Sequence, residues 1–145
     1  MTNTREPSAL SAEEINAFFE KAFGARKSMP QVLDASSGHV VMRMPCSEKH
    51  LRPGGFISGP TQMGLADHAA YVAIFTKAGI TPMALTSNLN INFLRPAQGT
   101  WLEAEATIMK FGRAGVVIEV TMRAEASKKP VSHAIVTYVM PRDAS

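Results

Sequence analysis

The sequence predicts an α+β domain in which a curved antiparallel sheet wraps around one long buried helix. Residues 60–78 are almost wholly apolar and rich in small side chains, which is typical of a helix buried on every side. From Leu85 onward, apolar residues recur with a period of two through four successive segments, which indicates strands. Because strands and helices are segregated along the chain, we expect one antiparallel sheet packed on the buried helix.

The first part of the chain predicts a helix followed by a β-hairpin. Ser11 is a typical capping residue, acidic residues follow it in the first turn, and Gly24 supplies the stop. Residues 32–35 and 40–44 are predicted strands, separated by turn residues 36–38. A loop over residues 45–59 leads into the long helix. Pro60 suits its first position because the missing N–H would be unpaired there.

Four strands are predicted after the long helix, at residues 85–93, 101–109, 116–124 and 130–140. We expect them to form a meander, in which each strand pairs with the next along the chain. In the first of these strands, Thr86, Asn88, Asn90 and Asn92 alternate with mostly apolar residues and are expected to share one polar face.

The composition argues against several classes of protein. A chain of 145 residues suits one domain, residues 1–145, and its single cysteine, Cys46, rules out a disulfide framework or a multi-cysteine metal site. No apolar run reaches the roughly 18 residues that a membrane span needs. The N-terminal residues lack the apolar core of a secretory signal, so we expect a cytoplasmic protein without membrane contact. The net charge is +3 and the basic residues are scattered, so no nucleic-acid partner is expected.

Asp67 is the first candidate for chemistry. Within residues 60–76 only Asp67 and His68 can ionise. A carboxylate buried without partners is costly, so it implies either a raised pKa or a paired site. Two alternatives remain open at this point: Asp67 makes a structural hydrogen bond, or it lies on a solvated stripe with Gln62 and His68. His68 itself is interpreted as structural or interfacial, since neighbouring helix residues point about 100° apart.

Gly59, just before the predicted helix, is the second candidate. Helix N-termini carry unpaired N–H groups and a positive partial charge, which stabilise the oxyanion formed when a carbonyl is attacked. Eight helical residues separate Gly59 from Asp67, which is roughly 12 Å along the axis. If both groups act on one carbonyl, two chains must place their helices side by side in opposite directions, and the site is shared within a two-fold dimer.

The segment SGPTQMGLAD, followed by NLNINFLRPA, resembles the hotdog-fold thioesterases of the phenylacetic-acid-degradation (PaaI-like) type. The similarity extends from about Val40 to the end of the chain and identifies residues 1–25 as an N-terminal helical extension. The resemblance implies hydrolysis of acyl-CoA thioesters without metal or organic cofactor, by a homodimer or homotetramer with shared active sites. It aligns the family's catalytic acid with Asp67 and its first motif glycine with Gly59.

The chain departs from the family motif at three positions. Ser58 stands where the family has histidine, Pro60 replaces the second glycine, and Arg52 occupies a loop position that is often asparagine. Pro60 leaves the N–H of Gly59 available. Ser58 can still donate or accept hydrogen bonds.

Further residues are predicted to bind substrate. Thr61, Gln62 and Tyr71 are expected along the pocket, with core packing as the alternative for Tyr71. Asn88 and Asn90 would contact the pantetheine arm or a dimer edge, with a solvated outer face as the alternative. The basic residues Arg95, Lys110 and Arg113 are interpreted as a solvated surface, with contacts to CoA phosphates as the alternative.

These observations predict an acyl-CoA thioesterase in which Asp67 attacks the thioester or activates a water, and Gly59 polarises the carbonyl. Two rivals stay open. An acyl-thioester dehydratase or hydratase of the same fold would normally need a loop histidine facing the acid. A non-catalytic acyl-CoA-binding module would keep the pocket without needing Asp67.

Overall fold

The computed structural model describes residues 5–24 and 29–142. The predicted bounds of the N-terminal extension (1–25) and of the domain (1–145) therefore include residues outside the described ranges. The helices and strands, in chain order, are α1 (Ala12–Phe23), β1 (Gln31–Ser36), β2 (His39–Pro45), α2 (Gly59–Ala78), β3 (Leu85–Phe93), β4 (Trp101–Phe111), β5 (Gly115–Ala124) and β6 (Ser132–Val139). One short 3₁₀ turn, Glu48–His50, interrupts the loop before α2.

The signals at both ends of α1 are confirmed. The Ser11 side chain accepts a hydrogen bond from the Glu14 backbone N–H, and the Glu14 carboxylate accepts one from the Ser11 N–H. This reciprocal capping box satisfies two N–H groups that a helix start would otherwise leave unpaired. Gly24 ends the helix at a positive φ of 79°. The helix buries Ile15 and Phe19 against the rest of the chain.

Six antiparallel strands form one sheet in the order β1-β2-β4-β5-β6-β3. The expected meander of four strands is therefore wrong for its first member, because β3 pairs with β6 and not with β4. The helix α2 carries the chain from β2 to the far edge of the sheet, where β3 lies, and the chain then returns to pair β4 with β2. Pairing between distant segments is not encoded in the alternation of a single strand, so the pattern predicted the strands and not this order.

The long helix α2 packs across the inner face of the sheet, as predicted. Leu65, Ala66, Ala69, Ala73 and Phe75 are among its buried side chains, and the small residues let the sheet approach the helix closely. The N-terminal half is more open, because Pro60, Met63 and Gly64 are exposed. The helix is thus enclosed on the side of the sheet and uncovered near its start.

A bulge in β3 decides which of its side chains face the helix. The register with β6 shifts between Thr86 and Asn88, so Thr86 pairs with Tyr138 on the inner face and Asn88 pairs with Thr137 on the outer face. An extra residue in one strand breaks the period of two at that point. The expectation that Thr86, Asn88 and Asn90 share one face is therefore wrong: the bulge separates Thr86 from the asparagines.

Candidate functional site

Asp67 lies two turns into α2 and is anchored by two hydroxyl groups. The Thr86 hydroxyl donates to Oδ1 of Asp67 over 2.7 Å, and the Tyr138 hydroxyl donates to the same oxygen over 2.9 Å. Tyr138 also reaches the Asp67 backbone carbonyl oxygen at 3.0 Å. Among the described residues, none donates to Oδ2. One carboxylate oxygen is therefore fixed, and the other is available to a ligand or a water.

Thr86 and Tyr138 are a directly opposed pair on β3 and β6, so the sheet register itself brings their hydroxyls to one atom. Tyr138 is buried, and its ring stacks on that of Tyr71 with centroids 5.8 Å apart. Burial, with a further contribution from the Asp67 charge, raises the pKa of Tyr138 well above that of a free phenol. Tyr138 thus keeps its proton and remains a hydrogen-bond donor to Asp67.

His68 points away from this pair and toward α1. Its ring packs edge-on against Phe19, with centroids 4.7 Å apart. Burial lowers the pKa of His68, and the neighbouring Asp67 charge offsets part of that effect. The imidazole is thus held neutral in an aromatic environment, in keeping with the structural interpretation.

The start of α2 is built by Ser58 and Gly59. Ser58 caps the helix, because its Oγ accepts from the Thr61 N–H at 3.3 Å and shares a 2.8 Å hydrogen bond with the Thr61 hydroxyl. A Cβ added to Gly59 would lie 3.3 Å from the ring of Phe93. The N–H of Gly59 has no acceptor among the described residues. A glycine here leaves both room and a free donor beside Phe93.

A cavity of about 480 Å³ opens beside Gly59. Its apolar lining is formed by Phe56, Ile57, Phe93, Leu94, Pro96 and Ala97. Gln62 also lines it and is buried; its amide nitrogen donates to the Ile57 carbonyl at 3.2 Å. The Gln62 carbonyl oxygen is buried without a donor in the part of the chain that the structure describes. A ligand donor would satisfy that oxygen.

One chain therefore holds two separate groups of candidate residues, here called half-sites. Gly59 and its cavity lie at the start of α2, whereas Asp67 lies eight residues further along with Thr86 and Tyr138, and does not line the cavity. The rise of an α-helix makes this separation roughly 12 Å. A rigid helix cannot bring the two groups to one reacting carbonyl.

The remaining predicted binding residues fall into two groups. Thr61 and Tyr71 lie near the half-sites: Thr61 is bound to Ser58, and the Tyr71 hydroxyl donates to the Pro82 carbonyl at 2.9 Å. Asn88 and Asn90 lie on the outer face of the sheet, opposite Thr137 and Ile135 of β6. The structure does not bring these asparagines to either half-site. Because they lie on the edge strand β3, their predicted contact with the pantetheine arm or a dimer edge stays a prediction.

Sequence reasoning missed Tyr138 and gave Thr86 no role. Tyr138 lies an even number of residues after the buried Ala134 and Val136, so it is on the same inner face of β6. Its burial could have been predicted from this alternation. Its contact with Asp67 could not, because it depends on the long-range pairing of β3 with β6.

Two further observations concern metals and membranes. No cluster of three potential metal ligands occurs within residues 5–24 and 29–142. Nor does either helix there have the length and apolarity to cross a membrane.

Comparisons with known proteins place this arrangement in context. The family model described as the thioesterase superfamily matches residues 54–131. A candidate thioesterase from Silicibacter sp. TM1040 is 28% identical, with 96% of this chain and 97% of that chain covered and a TM-score of 0.84. None of the curated proteins compared with the chain matches it.

Two more distant solved structures share the fold. The PaaI protein from the phenylacetic acid degradation operon of Escherichia coli is 22% identical, with 90% of this chain and 89% of that chain covered and a TM-score of 0.71. A Streptococcus mutans protein bound to acetyl-CoA is 20% identical, with 83% and 95% covered and a TM-score of 0.70. These similarities confirm the predicted hotdog fold.

The environment of His68 makes a prediction about stability against pH. Because burial lowers the folded-state pKa of His68 below the roughly 6.5 of an unfolded chain, the unfolded state binds the proton more readily. Acidification from about pH 7.5 to about pH 5.5 should therefore reduce the free energy of unfolding. We expect a His68→Phe variant, whose ring can still pack on Phe19, to lose less stability over that range, as measured by urea denaturation.

The lowered pKa of His50 acts in the same direction, but it is present in both proteins and cancels in the difference. NMR titration of the His68 imidazole in the wild type gives an independent reading. Parallel stability curves for the two proteins, or titration of His68 at or above the free value, would contradict the assignment.

Proposed function

Because the chain belongs to the thioesterase superfamily, we propose that it hydrolyses an acyl-coenzyme A with Asp67 as the catalytic carboxylate. The single observation that carries this proposal is the state of Asp67, with Oδ1 anchored by two hydroxyls and Oδ2 without a donor in the described chain. The acetyl-CoA held by the Streptococcus mutans protein of the same fold supports coenzyme A as the thiol carrier.

In the proposed reaction the thioester carbonyl oxygen accepts a hydrogen bond from the Gly59 N–H at the positive end of α2. The free oxygen of Asp67 removes a proton from a water while that water attacks the carbonyl carbon. The tetrahedral oxyanion is stabilised by the Gly59 donor. When it collapses, the C–S bond breaks and the proton held by Asp67 passes to the departing thiolate, which releases the thiol and a carboxylic acid and restores the Asp67 carboxylate. Direct attack by Asp67, giving an anhydride that water then hydrolyses, needs the same anchored geometry and is the open alternative.

The proposal includes a shared site. Gly59 of one chain and Asp67 of a second chain would meet if two α2 helices lie side by side in opposite directions, in a homodimer or a homotetramer of such dimers. The strand β3 supports this assembly, because it lies at the sheet edge and has no partner strand on its outer side among the described residues. Exposed apolar side chains lie at both ends of this strand: Leu85 at its start, and Phe93 and Leu94 at its end, are each about half exposed or more. A partner chain would cover this edge and its apolar residues.

The rival functions lack such support. A dehydratase or hydratase would normally place a histidine opposite the acid, whereas Ser58 is occupied as a helix cap and His68 packs on Phe19. A bare acyl-CoA-binding module would have no use for a carboxylate held by two donors. We place the enzyme in the cytoplasm as part of the same proposal, since the free thiol of Cys46 suits a reducing compartment.

The direct test is the substitution Asp67→Asn, assayed by thiol release from aromatic, short-chain and medium-chain acyl-CoAs. Asparagine keeps the size of the side chain and can still accept from Thr86 and Tyr138, but it cannot act as a base or nucleophile. We expect kcat to fall by a factor of about 10² to 10⁴ with the melting temperature little changed. The matched control is Asp34→Asn at an exposed position of β1, which should keep wild-type turnover. Full activity of Asp67→Asn would refute the assignment.

A second prediction concerns the two hydroxyls. Removing either donor, in Thr86→Val or Tyr138→Phe, leaves the Asp67 carboxylate held by one hydroxyl and less strictly oriented. We expect kcat to fall by about 10- to 100-fold while KM changes little, because the substrate contacts are retained. Tyr71→Phe is the control for Tyr138→Phe, since it loses a hydroxyl bonded to Pro82 and not to Asp67. If both tyrosine variants behaved alike, the anchoring role of Tyr138 would be wrong.

A further inference from the structure

The cavity beside Gly59 contains two arginines and no acidic residue in its lining. Arg52 and Arg95 are both among the lining residues, and the remainder are apolar except Gln62 and Gly59. The start of α2 adds its positive partial charge on the same side. An otherwise apolar cavity with this charge distribution has a positive potential and favours an anionic ligand.

Neither arginine has a carboxylate partner within the described residues. Arg95 donates from one guanidinium nitrogen to the Pro130 carbonyl at 2.7 Å, which orients the group and leaves its other N–H donors available. Arg52 is fixed through its backbone, since its N–H donates to the Phe56 carbonyl and its carbonyl accepts from Gly55. Arg43, by contrast, is paired with Glu103 at 3.0 Å on the outer face of the sheet. The side chains of the two cavity arginines are thus available to bind an anionic ligand.

The distance from the reacting carbonyl decides between two sources of negative charge. Coenzyme A carries phosphates, but its extended pantetheine arm places the first of them about 15 Å from the sulfur, by ordinary bond lengths. A cavity of about 480 Å³ is about 10 Å across if it is treated as a sphere, well within the size range of small-molecule pockets. An anion that reaches Arg52 or Arg95 while the thioester carbonyl is at Gly59 must therefore lie close to that carbonyl. A carboxylate on the acyl group meets this condition.

We propose that this cavity selects acyl-CoA substrates whose acyl chain ends in a carboxylate, with Arg52 and Arg95 as the specificity-determining residues. This inference rests on the proposed thioesterase function and narrows its substrate class. The methylene groups of a dicarboxylic acyl chain pack on the apolar lining, and the guanidinium groups compensate the carboxylate for its loss of water through charge-assisted hydrogen bonds.

The test compares glutaryl-CoA with its neutral methyl ester, each also prepared as a pantetheine thioester that lacks all phosphates. The measured quantity is the ratio of kcat/KM for the free acid to that for the methyl ester. We expect this ratio to be about 10 or more for the wild type on both carriers, because a hydrogen bond to a charged group changes binding by about that factor. Arg52→Ala should lower the ratio about tenfold on both carriers. The control Arg113→Ala removes an equal charge from the β4–β5 turn, outside the cavity, and should keep the wild-type ratio.

Three results would overturn the inference. A wild-type ratio near one would show that the acyl carboxylate is not recognised. A ratio that is unaffected by Arg52→Ala, even in combination with Arg95→Ala, would show that the arginines do not recognise it. If the arginine variants lost activity on both the free acid and the methyl ester, but only when the carrier is CoA, the arginines would bind the coenzyme phosphates. All three leave the thioesterase proposal intact, because that proposal fails only if Asp67-dependent hydrolysis of the methyl ester and of other neutral acyl-CoAs is absent.

Discussion

The anchoring of one Asp67 oxygen by the hydroxyls of Thr86 and Tyr138 is the interaction on which the rest of the structure depends. A carboxylate on a helix of small apolar residues needs donors, and among the described residues no α2 side chain donates to Asp67. The sheet supplies them from two adjacent strands whose register makes Thr86 and Tyr138 direct neighbours. The pairing of β3 with β6, the bulge at Ser87 and the position of the helix thus converge on a single oxygen atom. The second oxygen, left without a donor in the described chain, is the one available for chemistry.

The rigidity of α2 supplies the second constraint. Its N-terminus offers the Gly59 N–H beside an apolar cavity, and its middle offers Asp67, but a helix fixes their separation at roughly 12 Å. In the proposed dimer two such helices lie antiparallel, so that Gly59 at the start of each helix faces Asp67 in the middle of the other. The exposed apolar residues of β3 and its continuation, Leu85, Phe93 and Leu94, fit the same assembly. The edge strand and the separation of the two groups both support the proposed symmetric dimer.

Much of the fold could be predicted from local signals. The capped helix α1, the hairpin, the buried helix α2 and the positions of all later strands follow from caps, turns and periodicity. The strand order could not be predicted, because it depends on contacts between distant segments. The bulge at Ser87 has no glycine to reveal it, and it moved Asn88 and Asn90 to the outer face while Thr86 turned inward. Asp67 could be identified because a carboxylate is unusual in an apolar helix, and Gly59 because it comes directly before that helix. Tyr138 has no such signal, because an aromatic residue is common in a buried strand.

The shared site is the central claim, and complementation between two inactive chains tests it most directly. Asp67→Asn keeps Gly59, whereas Gly59→Val keeps Asp67 and directs a branched side chain at the Phe93 ring. After subunits of the two purified variants have exchanged, half of the dimers are mixed and each has one intact site, so about a quarter of wild-type activity should return. If the mixture stays inactive although mixed dimers form, Gly59 of one chain and Asp67 of the other do not form one active site.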